Sequence, residues 1–121
     1  MVKQKKQNPL MKNKALFIGL TYIDVTIPTE KIPQGDDKAI AETYDVGIGG
    51  NATIAAITNR KLGCSTSLIT SLADDFLGAV VAKKYADYEI EVYPQNVEKT
   101  SLSLVLPNDN KRAILRCRNT N

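Results

Sequence analysis

The sequence has no histidine and no tryptophan, and only two cysteines and two phenylalanines in 121 residues. Without imidazole there is no Ser–His or Cys–His nucleophilic site and no metal site built on histidine. Cys64 and Cys117 are too few for a disulfide scaffold, and read as reduced thiols in a core or on a strand. No apolar run approaches the roughly 18 residues that a membrane helix needs, so no membrane partner is expected. Acidic residues are missing from the first 14 positions, which hold Lys3, Lys5, Lys6, Lys12 and Lys14.

The formal net charge of +3 belongs to that stretch, because the remainder carries 11 basic against 13 acidic residues. Residues 1–14 are therefore expected to form a solvated, disordered basic tail rather than a charged surface. With no basic stripe, interleaved aromatics or zinc module beside it, no nucleic-acid partner is expected. The tail and the apolar residues 15–20 together imitate a secretory signal. The run is short, Asp24 soon interrupts the apolar character, and no small-residue cleavage site is obvious. It is read instead as a buried first strand, with Met11 as an alternative start and the chain cytoplasmic.

What is present suits one globular domain, at 43% hydrophobic and 24% charged residues. The continuous apolar run at 15–20 suits a strand covered on both faces of an α/β sheet. Residues 22–27 alternate and stop at Pro28; residues 32–37 are turn chemistry; residues 38–46 alternate as an edge or antiparallel strand would. Gly47-Ile48-Gly49-Gly50-Asn51 then opens a helix over 52–62, with Ile54, Ile57 and Leu62 near one face and Gly63 as its C-terminal cap. A core strand comes next at 65–70. Asp74-Asp75 caps a helix with Leu77, Val80, Val81 and Lys84 at helical spacing, and a short strand occupies 89–93. Residues 101–106 and 111–118 flank Pro107-Asn108-Asp109-Asn110, a hairpin signal. Leu102, Leu104 and Leu106 share one face of the first arm. Ala113, Leu115 and Cys117 share a face of the second, opposite Arg112, Arg116 and Arg118.

The glycine cluster has two readings. As G-x-G-x-x-A it fits a dinucleotide fingerprint, with Asp74 and Asp75 near the place of a ribose-binding acid. The strand before it, residues 41–46, carries Glu42 and Asp45, whereas that fingerprint comes after a central apolar strand. The other reading is a glycine pair that lets a ligand approach bare main chain at a helix N-terminus, whose unpaired N–H groups suit hydroxyls or anions.

An acid after the first strand, a β excursion, Gly49-Gly50 entering a helix, Leu62-Gly63, Asp74-Asp75-x-x-Gly78 and a Thr100-Ser101 hairpin recur here in order. In that order and spacing the chain resembles, from residue 15 to 121, the N-terminal part of a ribokinase-like carbohydrate kinase of the PfkB family. The resemblance implies an α/β fold, a partial, mostly parallel sheet with flanking helices plus a small β-sheet lid. It implies that Asp24 accepts hydrogen bonds from sugar hydroxyls, that Gly49 and Gly50 admit the sugar to the main chain, and that Asn51 adds an amide contact. The substrate is then a sugar or related alcohol, and the lid strands are a route to a homodimer. Asp74 and Asp75 are read as a helix cap and turn brace. Arg116 and Arg118 are read as a solvated strand face, with a phosphorylated substrate as the alternative.

Two positions depart from the family pattern. Ile54 stands where the family carries an asparagine that contacts sugar, and Ala73 stands where a glycine precedes the Asp-Asp pair. ATP and Mg2+ are implied for the full-length family, yet neither is expected to bind fully here. No phosphate loop and no second glycine-rich helix start with a catalytic aspartate comes after Gly50. The expectation is therefore the N-terminal, sugar-binding portion of a carbohydrate kinase, inactive alone. The alternatives are a non-catalytic sugar-binding or lid-mediated dimerisation module, or a dinucleotide-binding α/β domain.

Overall fold

The computed structural model describes residues 13–118, so the expected tail lies outside the described residues except for its last two positions. The chain runs β1 (Lys14–Ile18), β2 (Tyr22–Thr26), β3 (Asp45–Gly49), α1 (Asn51–Lys61), β4 (Ser65–Ala73), α2 (Phe76–Asp87), β5 (Glu91–Val97), β6 (Ser101–Asn108) and β7 (Lys111–Cys117). Two sheets result. β1, β4 and β5 form a parallel sheet in the order β1-β4-β5. The second has the order β3-β2-β6-β7, with β2 parallel to β6 and the other pairs antiparallel. Residues 19–21 carry the chain from the first sheet into the second.

The core gathers Ile23 and Ile48 from the second sheet, Leu68 from β4, Ala56 from α1, Val81 and Tyr85 from α2, and Ile90. Alternation along β4 sends Thr66, Leu68 and Thr70 to the helix-covered face. The opposite face of this sheet is bare, which corrects the expectation of a first strand buried on both sides. Leu16 and Ile18 are 56% and 71% exposed, and Tyr93 beside them is 52% exposed. Both helices lie on the other face, and β1 pairs on one edge only, with β4. No helix among the described residues is long and apolar enough to cross a membrane.

The expected buried face of α1 also needs correction. Ile57 packs against the core as expected, but Ile54 and Leu62 are exposed, while Thr53 and Ala56 have no exposed surface. The helix sits so close to β1 that a methyl at Gly19 would fall 2.6 Å from the Ala52 side chain, so only small residues fit beneath it. Gly63 caps the helix as expected, its amide donating to the Arg60 carbonyl at 3.0 Å. Cys64 is half-buried and Cys117 exposed; both are free thiols, and neither belongs to the core.

Asp75 is the N-cap of α2. Its Oδ1 accepts from the Gly78 amide at 2.7 Å and from the Thr100 hydroxyl, and its Oδ2 accepts from the Thr100 amide at 3.0 Å. Gly78 is required there, since a side chain would run into the Ala73 carbonyl. The spacing Asp-x-x-Gly thus ties the start of α2 to the start of β6. These bonds, led by that from the Thr100 hydroxyl, hold the Asp75 carboxyl below the ordinary carboxylate range. The folded state then binds this proton less readily than the unfolded chain does. The stabilisation is present above the ordinary aspartate value and is lost as pH falls through the depressed one. Asp75→Ala is expected to cost about 2 kcal/mol at neutral pH. Urea melts at pH 7 and at pH 3 check this, with the penalty shrinking at the lower pH.

The predicted strand over 38–46 is present only at its end. Asp45 to Gly49 pair with all five residues of β2, so residues 38–44 have no strand to pair with, and Ile40 and Tyr44 stand exposed. Gly47 and Gly49 consequently lie in β3 rather than in a helix-opening turn. The hairpin forms on Asp109 and Asn110, both at positive φ, as a two-residue primed turn requires. The strand expected over 89–93 begins later, at Glu91, because residues up to Tyr88 complete the C-terminus of α2 and Glu89 turns at φ 58°.

Candidate functional site

Along β2, Tyr22 and Asp24 share one face of the second sheet, while Ile23 and Val25 point to the other. The register carries this face across four strands. Asp24 is opposite Gly47 on β3 and Ser103 on β6, and Ser103 is opposite Arg116 on β7. One transverse row therefore presents bare main chain, a carboxylate, a hydroxyl and a guanidinium. Diagonally beside Asp24 lies Gly49, and there the carboxylate folds down onto the backbone. A methyl on Gly49 would overlap Asp24, only 2.9 Å from its Cγ and nearer still to Oδ2.

Gly50 then turns the chain into α1 at φ 109°, ψ 148°, a conformation closed to other residues. A side chain here would also strike the Leu20 carbonyl. No side chain caps α1, whose first carbonyl-bound amide is that of Ile54, donating to the Gly50 carbonyl at 2.9 Å. The amides of Asn51, Ala52 and Thr53 are thus the helix's unpaired first-turn donors. The exposed Asn51 opens the helix, and the exposed Ile54 lies one turn on. Acceptors on Asp24 and donors at the helix start together complement hydroxyl groups, which both donate and accept.

Burial pushes the Asp24 carboxyl above its ordinary value of 3.8, and the positive charge of Arg116 works against that rise. Arg116 itself is held by neutral partners. Its Nε donates to the Ser103 Oγ at 2.9 Å, and its guanidinium lies 5.2 Å from the Tyr22 ring centroid.

Beneath the joint is a buried cluster of hydroxyls. Thr21 Oγ1 lies 2.6 Å from both Thr70 Oγ1 and Tyr85 Oη, and Thr53 Oγ1 lies 2.8 Å from the same Tyr85 oxygen. All four residues are almost inaccessible. They bind the residue between β1 and β2 to α1, β4 and α2, fixing the angle at which the second sheet leaves the first.

Of the residues singled out from sequence, the structure brings Asp24, Gly49, Gly50 and Asn51 to one corner. Asp75 serves as a cap, and Asp74 is exposed beside it. Sequence reasoning passed over Tyr22, Ser103 and the hydroxyl cluster. The i, i+2 spacing of Tyr22 and Asp24 was a usable signal. Ser103 needed the register of β2 against β6, which no local pattern encodes.

Residues 12–121 match the family model described as pfkB family carbohydrate kinase. An ATP-dependent 6-phosphofructokinase of Thermoanaerobacterium thermosaccharolyticum is 32% identical over 96 residues, 78% of this chain and 28% of that protein. A ribokinase of Dictyostelium discoideum is 30% identical over 80 residues, 66% of this chain and 25% of that protein. The chain thus spans about a quarter of the length of these curated relatives. Among solved structures, the Arabidopsis thaliana ribokinase complexed with ribose and ATP superposes with a TM-score of 0.73. The match has 22% identity and covers 84% of this chain and 35% of that one.

Proposed function

The chain belongs to the pfkB family of carbohydrate kinases, and on that premise we propose that residues 13–118 form the sugar-binding portion of such a kinase. The observation that carries this reading is the seating of the Asp24 carboxylate against Gly49, beside the open N-terminus of α1. Asp24 accepts from two neighbouring hydroxyls through charge-assisted bonds. Gly49 makes room for that carboxylate and Gly50 for the Leu20 carbonyl, which sets the turn into the helix, and Asn51 adds its amide. The hydroxyl cluster around Thr21 holds Asp24 and the helix start in register. At the place of the family asparagine, Ile54 packs but neither donates nor accepts.

ATP supplies the phosphoryl group in this family's reaction, with Mg2+ as its counterion. Among the described residues no three of His, Cys, Asp and Glu gather as a cation site. The bare face around Leu16, Ile18 and Tyr93 supports the reading of a portion, since a parallel sheet is ordinarily covered on both sides. The outer edge of β7, exposed along its length, offers a homodimer its route through the lid strands.

Calorimetry with ribose, the sugar named for the Arabidopsis relative, tests the reading. Binding is expected, and Asp24→Asn should weaken it by about ten- to a hundred-fold, as for charge-assisted bonds. Because ionised Asp24 is the acceptor, affinity should fall on acidification, with a midpoint above the 3.8 of an ordinary aspartate. The same chain should release no ADP from ATP and sugar. Unchanged affinity in Asp24→Asn removes Asp24 from the site, and sugar-dependent ADP release contradicts the inactive-portion reading.

A further inference from the structure

We propose that Tyr85 is a positioning residue of the sugar site, its buried hydroxyl tying the strand that carries Asp24 to the helix start at Gly50 through a one-way chain of hydrogen bonds. This deepens the sugar-site reading and rests on it. Each hydroxyl of the buried cluster has one hydrogen to give, and the chain has one fixed end. Thr53 Oγ1 lies 3.4 Å from the Leu20 carbonyl oxygen, which only accepts, so the Thr53 hydrogen goes there. At the 2.8 Å contact between Thr53 and Tyr85 the donor is then Tyr85. With its hydrogen spent, the phenol accepts at its 2.6 Å contact with Thr21. Thr21 in turn accepts from Thr70, also at 2.6 Å. The chain therefore runs from Thr70 through Thr21, Tyr85 and Thr53, and ends on the Leu20 carbonyl. It leaves no hydrogen for the 3.3 Å approach of Thr21 to Thr53, which is a contact only.

Tyr85 is the link where the two halves of the site meet. It accepts from Thr21, the residue that leads into β2 and so to Asp24, and it donates to Thr53 in the first turn of α1. The Leu20 carbonyl at the end of the chain is the group against which Gly50 turns, since a side chain on Gly50 would strike it. Carboxylate and helix start are thus referenced to one phenol oxygen, supplied from α2. Tyr85 is 1% exposed, so water does not reach the cluster to stand in for that oxygen. Burial raises the phenol above its ordinary value of 10.0, against the opposing bonds to Thr21 and Thr53, and the hydroxyl keeps its hydrogen at neutral pH.

The test is ribose calorimetry on the 121-residue chain and its variants, each checked by a thermal melt. Tyr85→Phe keeps the ring and removes only the oxygen, and should weaken ribose binding about ten-fold, the size of one lost hydrogen bond. Thr53→Val, equal in shape, should match it. Thr53→Ser restores the hydroxyl and should recover most of the affinity. The Thr53 pair decides the matter on its own if Tyr85→Phe does not fold. Thr70→Val removes the first donor and leaves the later links intact, so its loss should stay within about three-fold. Asp75→Ala is the control for stability alone: it should lower the melting temperature and leave the affinity as it was. Without any sugar, the amide shifts of Thr21, Gly50 and Asn51 should move together in Tyr85→Phe and far less in Thr70→Val. Unchanged affinity in Tyr85→Phe and Thr53→Val, no recovery in Thr53→Ser, or an equal loss in Asp75→Ala overturns the proposal. If ribose binds the parent chain and Asp24→Asn weakens that binding, such a result leaves the sugar site standing. If ribose does not bind, or binding ignores Asp24→Asn, the sugar-site reading falls and this proposal with it.

Discussion

Replacing Gly49 with alanine is expected to weaken sugar binding sharply while leaving most of the fold's stability. Gly49 lies in β3 with an ordinary strand backbone, so alanine meets no conformational barrier there. What it meets is Asp24: the new methyl would sit 2.9 Å from the carboxylate carbon and 3.3 Å from Oδ1. One of the two must move, and the free end of the aspartate moves more cheaply than a paired strand. The carboxylate would swing off the main chain and away from the helix donors, losing the geometry that the proposed sugar site requires. A loss of about a hundred-fold in sugar affinity is expected, because both charge-assisted bonds go together. Stability should fall by only about 1–2 kcal/mol, typical of modest overpacking. Calorimetry and urea melts on the same variant separate the effects. Retained affinity with Asp24 displaced would mean that the carboxylate does not read the sugar.

Gly50→Ala should do the reverse and damage the fold first. At φ 109° an L side chain is strained whatever the space around it, and here the space is also taken, with the Leu20 carbonyl carbon 3.3 Å away and its oxygen nearer. Neither neighbour is a flexible side-chain end. Leu20 belongs to the joint between the sheets and Gly50 to the joint between β3 and α1, so relief would open both. A cost of about 3 kcal/mol or more is expected, the sum of a disfavoured backbone and an unrelieved clash. Gly35→Ala is the internal control, since Gly35 is also at positive φ, 58°, but has nothing within 4 Å. It should cost only the backbone share, about 1 kcal/mol. Equal urea midpoints for the two variants would contradict the account of the Gly50 turn.

How far this structure was legible in the sequence depended on whether its cause was local. The C-cap at Gly63, the Asp75 cap and the Asp109-Asn110 hairpin each arise from chemistry within a few residues, and each is present. The alternation over 38–46 was equally clear but misleading, because a strand needs a partner and β2 is used up by Asp45–Gly49. Apolar spacing along α1 pointed to Ile54 and Leu62. The close approach of the helix to β1 instead buries Thr53 and Ala56, an effect of distance that hydropathy does not encode. Asp24 and the glycines were visible through their resemblance to a family pattern. Thr21, Thr53, Thr70 and Tyr85 span 64 positions as ordinary neutral residues and meet only in three dimensions. Arg116 was visible as a charged strand face, but its place in one row with Asp24 needed the pairing of β2, β6 and β7.

The most direct test of the central claim is the amide chemical-shift map of the isotopically labelled chain during a ribose titration. If Asp24 and the start of α1 form one sugar site, shifts should concentrate at Asp24, Gly49, Gly50 and Asn51, saturate together, and need about ten- to a hundred-fold more ribose in Asp24→Asn. Shifts gathered instead around Asp75 and the start of α2, or spread without saturation, would contradict it.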